Sequence, residues 1–301
     1  MASFHSHGKV LLTSEYVVLA GAKALALPCT KGQSLHYEAQ ESKTLRWESY
    51  DWKNSLWFEA HFECSTFKII ETSDPTIAKR LQQILQVARS ENNLFLSQGG
   101  IVKTHLEFDR HWGLGSSSTL LVNVANWAEI NAFSLGEKTF GGSGYDIACG
   151  SAKGPIFYTR EGEYPKIIPV DFTPPFADEL FFVYLNQKKN SQQAVQAFEV
   201  SKVTPSLITS LNRLTDAIAT CKELKEFEAY LIQHEQLIGK LIGQKPIKEK
   251  LFNEYKGVIK SLGAWGGDFV LATGNEAAKS YFKEKGYTTV IPYKEMFLDR
   301  I

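Results

Sequence analysis

The segment Gly113-Leu114-Gly115-Ser116-Ser117-Ser118 has residue types suited to holding phosphate. Its two glycines let backbone approach a ligand with no Cβ in the way. A helix beginning near Ser117 would aim free N–H groups and its positive dipole end at the same point. The adjacent serines can cap that helix, donate to phosphate oxygens or ligate Mg²⁺. Phosphoryl transfer from ATP needs such donors around the β- and γ-phosphates, a bridging Mg²⁺ and a positioned acceptor. The same residues also suit a tight strand-to-helix turn with purely local needs. No Gly-Lys-Ser/Thr string occurs, so this is not a Walker loop. The third glycine of a dinucleotide fingerprint is missing as well.

Three more segments carry chemistry-bearing residues in glycine-rich or strand-end settings. They are His7-Gly8-Lys9-Val10-Leu11-Leu12-Thr13-Ser14-Glu15-Tyr16, Gly142-Ser143-Gly144-Tyr145-Asp146-Ile147-Ala148, and Ser261-Leu262-Gly263-Ala264-Trp265-Gly266-Gly267-Asp268. With the Gly/Ser loop they follow the order and approximate spacing of the GHMP kinases, which include galactokinase, homoserine kinase, mevalonate kinase and phosphomevalonate kinase. The chain resembles that superfamily from about residue 7 onward. Its Gly-Tyr-Asp-Ile-Ala string resembles a subgroup known by those residues.

The resemblance implies an α+β fold, with an N-terminal domain like ribosomal protein S5 domain 2 and a ferredoxin-like C-terminal domain. It implies Asp146 and Lys9 as catalytic residues, and Gly113 to Ser118 as the ATP phosphate loop. Glu15 would lie near the site. Gly263, Ala264, Gly266 and Gly267 would form the third motif. Ser117 would ligate Mg²⁺. The family's second metal ligand is a glutamate upstream of the catalytic aspartate; here Leu135 stands at that distance and Glu137 is the nearest carboxylate. Lys189 and Ser191 lie where mevalonate-pathway kinases often carry Lys-Ala-Ser-Thr, and the lysine would meet an anionic substrate. The third motif and Gly142 to Asp146 are similar to phosphomevalonate kinase. Phosphomevalonate or mevalonate, in isoprenoid biosynthesis, is therefore the expected acceptor. Another sugar or amino-acid hydroxyl, or a nucleotide-binding relative without catalysis, are the alternatives.

These roles make physical sense. An alcohol is a poor nucleophile near neutral pH, so an aspartate within hydrogen-bond reach can take its proton as transfer proceeds. A nearby lysine keeps that aspartate ionised and stabilises charge on the attacking oxygen. The sequence departs from the family at Asp109, Ser118, Thr119 and His7. It departs again at Trp265, which replaces a motif glycine and is expected to crowd the site. Asp268 is read as a brace or cap for the glycine loop.

The elements that must position these residues are legible in outline. Lys9–Leu12, Tyr16–Leu19 and Ala24–Leu27 read as strands, and the aromatic, alternating stretch 35–70 as hairpins. Pro75–Glu91 has helical apolar spacing behind Asp74, and Ile101–Phe108 alternates like a strand. Thr119–Ala132 reads as a buried helix and 192–244 as a run of helices. Short strands are expected at 156–158, 167–170, 179–185, 269–273 and 288–292, with a helix at 276–285. The adjacent prolines Pro174 and Pro175 suggest a boundary, giving domains 1–172 and 173–301. His234 is expected to be a packed or exposed histidine rather than a ligand.

With 33 basic and 33 acidic residues and no basic stripe, the 301-residue chain points away from nucleic acid and toward a small-molecule substrate. No apolar run approaches the ~18 residues that span a bilayer, so no membrane partner is expected. Glu15 and Lys23 interrupt the apolar N-terminal stretch, unlike a signal peptide. Four scattered cysteines fit buried thiols in a reducing, cytoplasmic setting. The apolar spacing of 227–242 suits either a core or a dimer seam, so a monomer or a homodimer is expected.

Overall fold

Ala2–Leu11 (β1) and Ala24–Ala39 (β2) pair in a sheet. The first half of β1 alternates between exposed and covered positions, as a strand with one solvated face does. The computed structural model describes residues 1–162, 164–187 and 191–298, and the chain divides into two compact units.

Unit 1 comprises Met1–Gly8, Lys31–Arg110 and Leu114–Ser151. It contains Thr44–Tyr50 (β3), Leu56–Glu63 (β4), Ile69–Thr72 (β5), the helix Pro75–Glu91 (α1) and Gly100–Leu106 (β6). Three further helices follow, Ser116–Ala128 (α2), Ala132–Thr139 (α3) and Tyr145–Ser151 (α4). Strand order is β5-β4-β3-β6-β2. All neighbours are antiparallel except β3 and β6, which run parallel. Asp74 caps α1 by accepting from the N–H groups of Thr76 and Ile77, and Pro75 opens its first turn. The apolar stripe Ala78, Leu81, Ile84, Leu85 and Ala88 joins Trp47, Phe58 and Phe62 of the sheet in one core. The helix expected at Thr119–Ala132 is shifted to Ser116–Ala128, because Glu129 turns left-handed at φ +55° and ends it.

Unit 2 comprises Lys9–Thr30, His111–Gly113 and Ala152–Ile301. Here Ala24–Ala26 of β2 pair with Ile156–Thr159 (β7), which pairs with Lys166–Pro169 (β8). Leu180–Tyr184 (β9) precedes the helices Ser191–Ala197 (α5), Pro205–Thr220 (α6), Leu224–Ile242 (α7) and Ile247–Leu251 (α8). Then come Ile259–Ser261 (β10), Phe269–Thr273 (β11), Glu276–Glu284 (α9), Val290–Pro292 (β12) and Tyr293–Met296 (α10). The four strands form an antiparallel sheet in the order β10-β11-β9-β12. Both faces of β9 are covered, Phe181 by Phe282 and Phe182 by Phe297, which is why its sequence is apolar throughout.

The strand expected at Tyr16–Leu19 is instead a 3₁₀ turn, Val17–Ala20. Tyr16 at φ +65° and Gly21 at φ +85° reverse the chain on both sides, leaving too few extended residues to pair. The four cysteines are buried free thiols. Among the described residues, no helix is long and apolar enough to cross a membrane.

Candidate functional site

In unit 1 the Gly/Ser loop ends at Gly115, the N-cap of α2, held at φ +92° where only glycine is unstrained. Helices α1, α3, α6 and α9 are closed by side-chain caps from Asp74, Asn131, Thr204 and Asn275. The start of α2 has no side-chain cap, although three serines occupy its first turn. Ser118 Oγ instead donates back to Gly115 O at 2.9 Å. Ser117 is exposed and Ser116 half-buried. The first N–H groups of α2 are thus left to an outside acceptor, and the dipole favours an anionic one.

Buried polar contacts anchor that helix start. Thr119 Oγ1 donates to Gln33 Oε1 at 2.7 Å, Asn123 Nδ2 donates to Gln33 O at 2.8 Å, and Ser6 Oγ donates to Asn123 Oδ1 at 2.7 Å. The departure from the family pattern at Thr119 therefore ties α2 to β2. Asp146 lies half-buried in the first turn of α4. Close packing sets the position of α4: a Cβ on Gly150 would meet Val122 of α2 at 2.9 Å, and one on Gly136 of α3 would meet Ile147 at 2.4 Å. Leu135 is part of the core and cannot be a ligand, whereas Glu137 is on the exposed face of α3.

In unit 2, Lys9 Nζ donates to the carbonyl of Gly113 at 2.9 Å. Lys9 thus grips the first glycine of the Gly/Ser loop. Gly113 has φ +67°, and a Cβ there would lie 2.3 Å from the Asp268 carboxyl carbon. Asp268, expected to brace its own glycine turn, instead packs directly on Gly113 of the Gly/Ser loop. The third motif is a left-handed turn, with Gly263 at φ +57°, Trp265 at +52°, Gly266 at +99° and Asp268 at +53°. Tyr16 donates its hydroxyl to Ala264 O at 3.0 Å.

Trp265 does not crowd this turn, contrary to expectation. Its ring is 2% exposed and packs with Tyr16, Val17, Leu211 and Ile238. The left-handed backbone swings the side chain into the core. Trp265→Gly would relieve that backbone strain but empty the pocket, for a net loss of roughly 2–3 kcal/mol. A urea midpoint equal to wild type would show that the ring contributes no packing.

Glu15 is buried in a group that sequence reading did not assemble. It pairs with Lys260 through Oε1, and its Oε2 is 3.7 Å from His234 Nε2. Lys260 also lies 3.4 Å from Glu235. His234 Nε2 accepts the Ser14 N–H at 2.8 Å, so that ring is neutral; burial and Lys260 hold its pKa well below the ordinary value. Of the two expected states, packed or exposed, the structure places His234 in the packed one, as a hydrogen-bond acceptor. Burial raises Glu15 from 4.5 to about 7, and Lys260 opposes the rise. Burial raises Glu235 in the same sense. The only clue in the sequence was Lys260 lying next to Ser261 at the start of the third motif.

A carboxyl raised on folding stabilises below its unfolded pKa and loses that contribution as pH climbs through the folded one. Glu15→Gln should therefore gain on wild type between pH 5 and pH 8, by about 1–3 kcal/mol. Urea unfolding at both pH values measures it, and a gap that does not move with pH contradicts it.

Lys189 lies outside the described residues; Ser191 opens α5, but its side chain lies outside them too. Within unit 1 the structure packs α2, through Val122, against Gly150 of Asp146's helix α4. Within unit 2 it brings together Lys9, Gly113 and the third motif.

No protein-family profile matches the sequence, and no curated protein sequence does either. Solved structures do. Methanococcus jannaschii mevalonate kinase is similar at a TM-score of 0.68 and 16% identity, covering 96% of each chain. Streptococcus pneumoniae phosphomevalonate kinase, solved with phosphomevalonate and AMPPNP, is similar at 0.69 and 17%, covering 95% of this chain and 96% of that one. Lactococcus lactis galactokinase complexed with galactose is similar at 0.68 and 13%, covering 99% and 93%. With near-complete coverage in both directions, the chain has the GHMP kinase fold.

Proposed function

We propose that this chain is an ATP-dependent small-molecule kinase, passing the γ-phosphoryl group to phosphomevalonate or mevalonate, with residues 1–172 as its ATP-binding domain and 173–301 as its C-terminal domain. The observation that carries the reading is the start of α2, a left-handed glycine N-cap with no side-chain cap and hydroxyls on its first turn. Such a start is a ready phosphate cradle. Gly113, Leu114, Gly115 and Ser116 to Ser118 hold the ATP phosphates, and Asp146 receives the acceptor proton. Lys9 orders Gly113 and offsets developing charge.

Mg²⁺ would be carried largely by the phosphates, as is usual for this ion at nucleotide sites. Ser117, with its exposed hydroxyl at the positive end of α2, and Glu137, exposed on α3, are oxygen donors of the type that suits it. When bound, it neutralises charge on the transferring group.

The acceptor is supported by the phosphomevalonate-like strings at Gly142 to Asp146 and Gly263 to Asp268, and by the mevalonate-pathway enzymes among the similar structures. ADP release with mevalonate, phosphomevalonate, galactose and homoserine tests it. Turnover on galactose or homoserine alone overturns the acceptor. Nucleotide binding without ADP release on any acceptor makes the chain a binding relative.

A further inference from the structure

Resting on that reading, we propose that Lys260 is a positioning residue, which fixes the Gly263–Gly267 turn against the Ser14–Tyr16 segment from beneath. Its ammonium, 0% exposed, donates to Glu15 Oε1 and to the Ser261 carbonyl, and lies 3.4 Å from Glu235. Glu235 in turn accepts from Ser261 N–H at 3.0 Å and from Ser261 Oγ at 2.9 Å, two residues before Gly263. Above the cation, the Trp265 ring centroid is 5.8 Å from Nζ. One buried charge therefore contacts motif one through Glu15, the strand entering motif three through Ser261, and the side chain at the centre of that motif.

Both segments that it joins are strained. Ser14, Tyr16, Trp265 and Asp268 are four of the nine described non-glycine residues with left-handed backbone. Such conformations cost about 1–3 kcal/mol each and persist only where surrounding contacts over-determine them. Stability alone is a poor account of the cluster, since buried ion pairs are often replaceable by apolar groups without loss. Glu15 Oε2, His234 Nδ1 and Trp265 Nε1 are moreover buried without a hydrogen-bond partner among the described residues. What the arrangement supplies is a fixed geometry for two chain segments distant in sequence. The third motif then presents one conformation to the phosphates instead of several.

Lys260→Met leaves two buried carboxylates without their cation and puts folding at risk. The triple variant Lys260→Met/Glu15→Gln/Glu235→Gln keeps acceptors for Ser261 and leaves no buried charge. Hydrogen exchange of the 262–268 amides and binding of Mg²⁺·AMPPNP are measured on the triple variant and on wild type. The expected result is exchange at least tenfold faster in 262–268, with α6 and α7 as protected as in wild type, and AMPPNP binding about tenfold weaker. Loop exchange at the wild-type rate, or faster exchange with unchanged AMPPNP affinity, overturns the proposal. Absence of AMPPNP binding by wild type itself sinks the kinase reading separately, and the exchange data still decide what Lys260 does.

Discussion

With Asp146 as the proposed general base, Asp146→Asn is expected to lower turnover on an alcohol acceptor by about 10²–10⁴-fold, the usual contribution of such a group. The substitution is nearly isosteric, and little else depends on the carboxylate: its one hydrogen bond among the described contacts is local, from the Ile147 N–H at 3.1 Å. Helix α4 is set in place by Gly150 on Val122 and Ile147 on Gly136, neither of which the change disturbs. Thermal unfolding should therefore stay within a few tenths of a kcal/mol of wild type. AMPPNP binding should also persist, because the proposed phosphate cradle at Gly115–Ser118 is untouched. The effect depends on the acceptor. A hydroxyl must lose its proton during transfer, whereas a phosphate oxygen is already ionised near neutral pH, so a phosphate acceptor should suffer less. Steady-state kcat with each acceptor measures both points. Near-wild-type turnover on an alcohol by a folded variant removes Asp146 from the mechanism.

Gly113→Ala should abolish high-affinity nucleotide binding, with AMPPNP affinity falling at least tenfold in calorimetry. Two costs act together. Alanine at φ +67° pays about 1–2 kcal/mol for the left-handed backbone. Its methyl would also lie 2.3 Å from the Asp268 carboxyl carbon and 2.4 Å from one of its oxygens, well inside van der Waals contact. Asp268 has little room to withdraw: it is 8% exposed, its backbone N–H donates to Gln187 O at 2.6 Å, and its carbonyl accepts from Leu185 N–H at 2.8 Å. The displaced group is thus more readily Gly113 itself, together with the carbonyl that Lys9 holds. Gly142→Ala is the control, since nothing lies within 4 Å of a Cβ there although its φ of +101° is as unfavourable. If Gly113→Ala binds AMPPNP as tightly as Gly142→Ala does, the contact with Asp268 does not support the loop.

The helices and the β-rich first half were legible because their patterns are local. Asp74-Pro75 followed by apolar residues at helical spacing marks α1, and turn signals bound the hairpins. Tyr16–Leu19 was misread because four apolar residues in a row suit a strand or a buried turn equally, and only the φ reversal at Tyr16 decides. Trp265 was misread for a related reason. Where a bulky side chain points depends on backbone handedness, which residue type alone does not reveal.

The sequence by itself determined the candidate chemistry. Glycines and serines at 113–118, Lys9, Asp146 and the glycine turn at 263–267 are residues whose types and order carry that meaning before any folding. Their environment was decided only by tertiary structure. Asp268 seated on Gly113, Lys9 on the Gly113 carbonyl and Lys260 on Glu15 join positions from 104 to 245 residues apart. Contacts of that range leave no periodicity or spacing along the chain. They exist because the sheets and helices bury these groups together, and burial is what moves Glu15 and His234 away from their ordinary protonation.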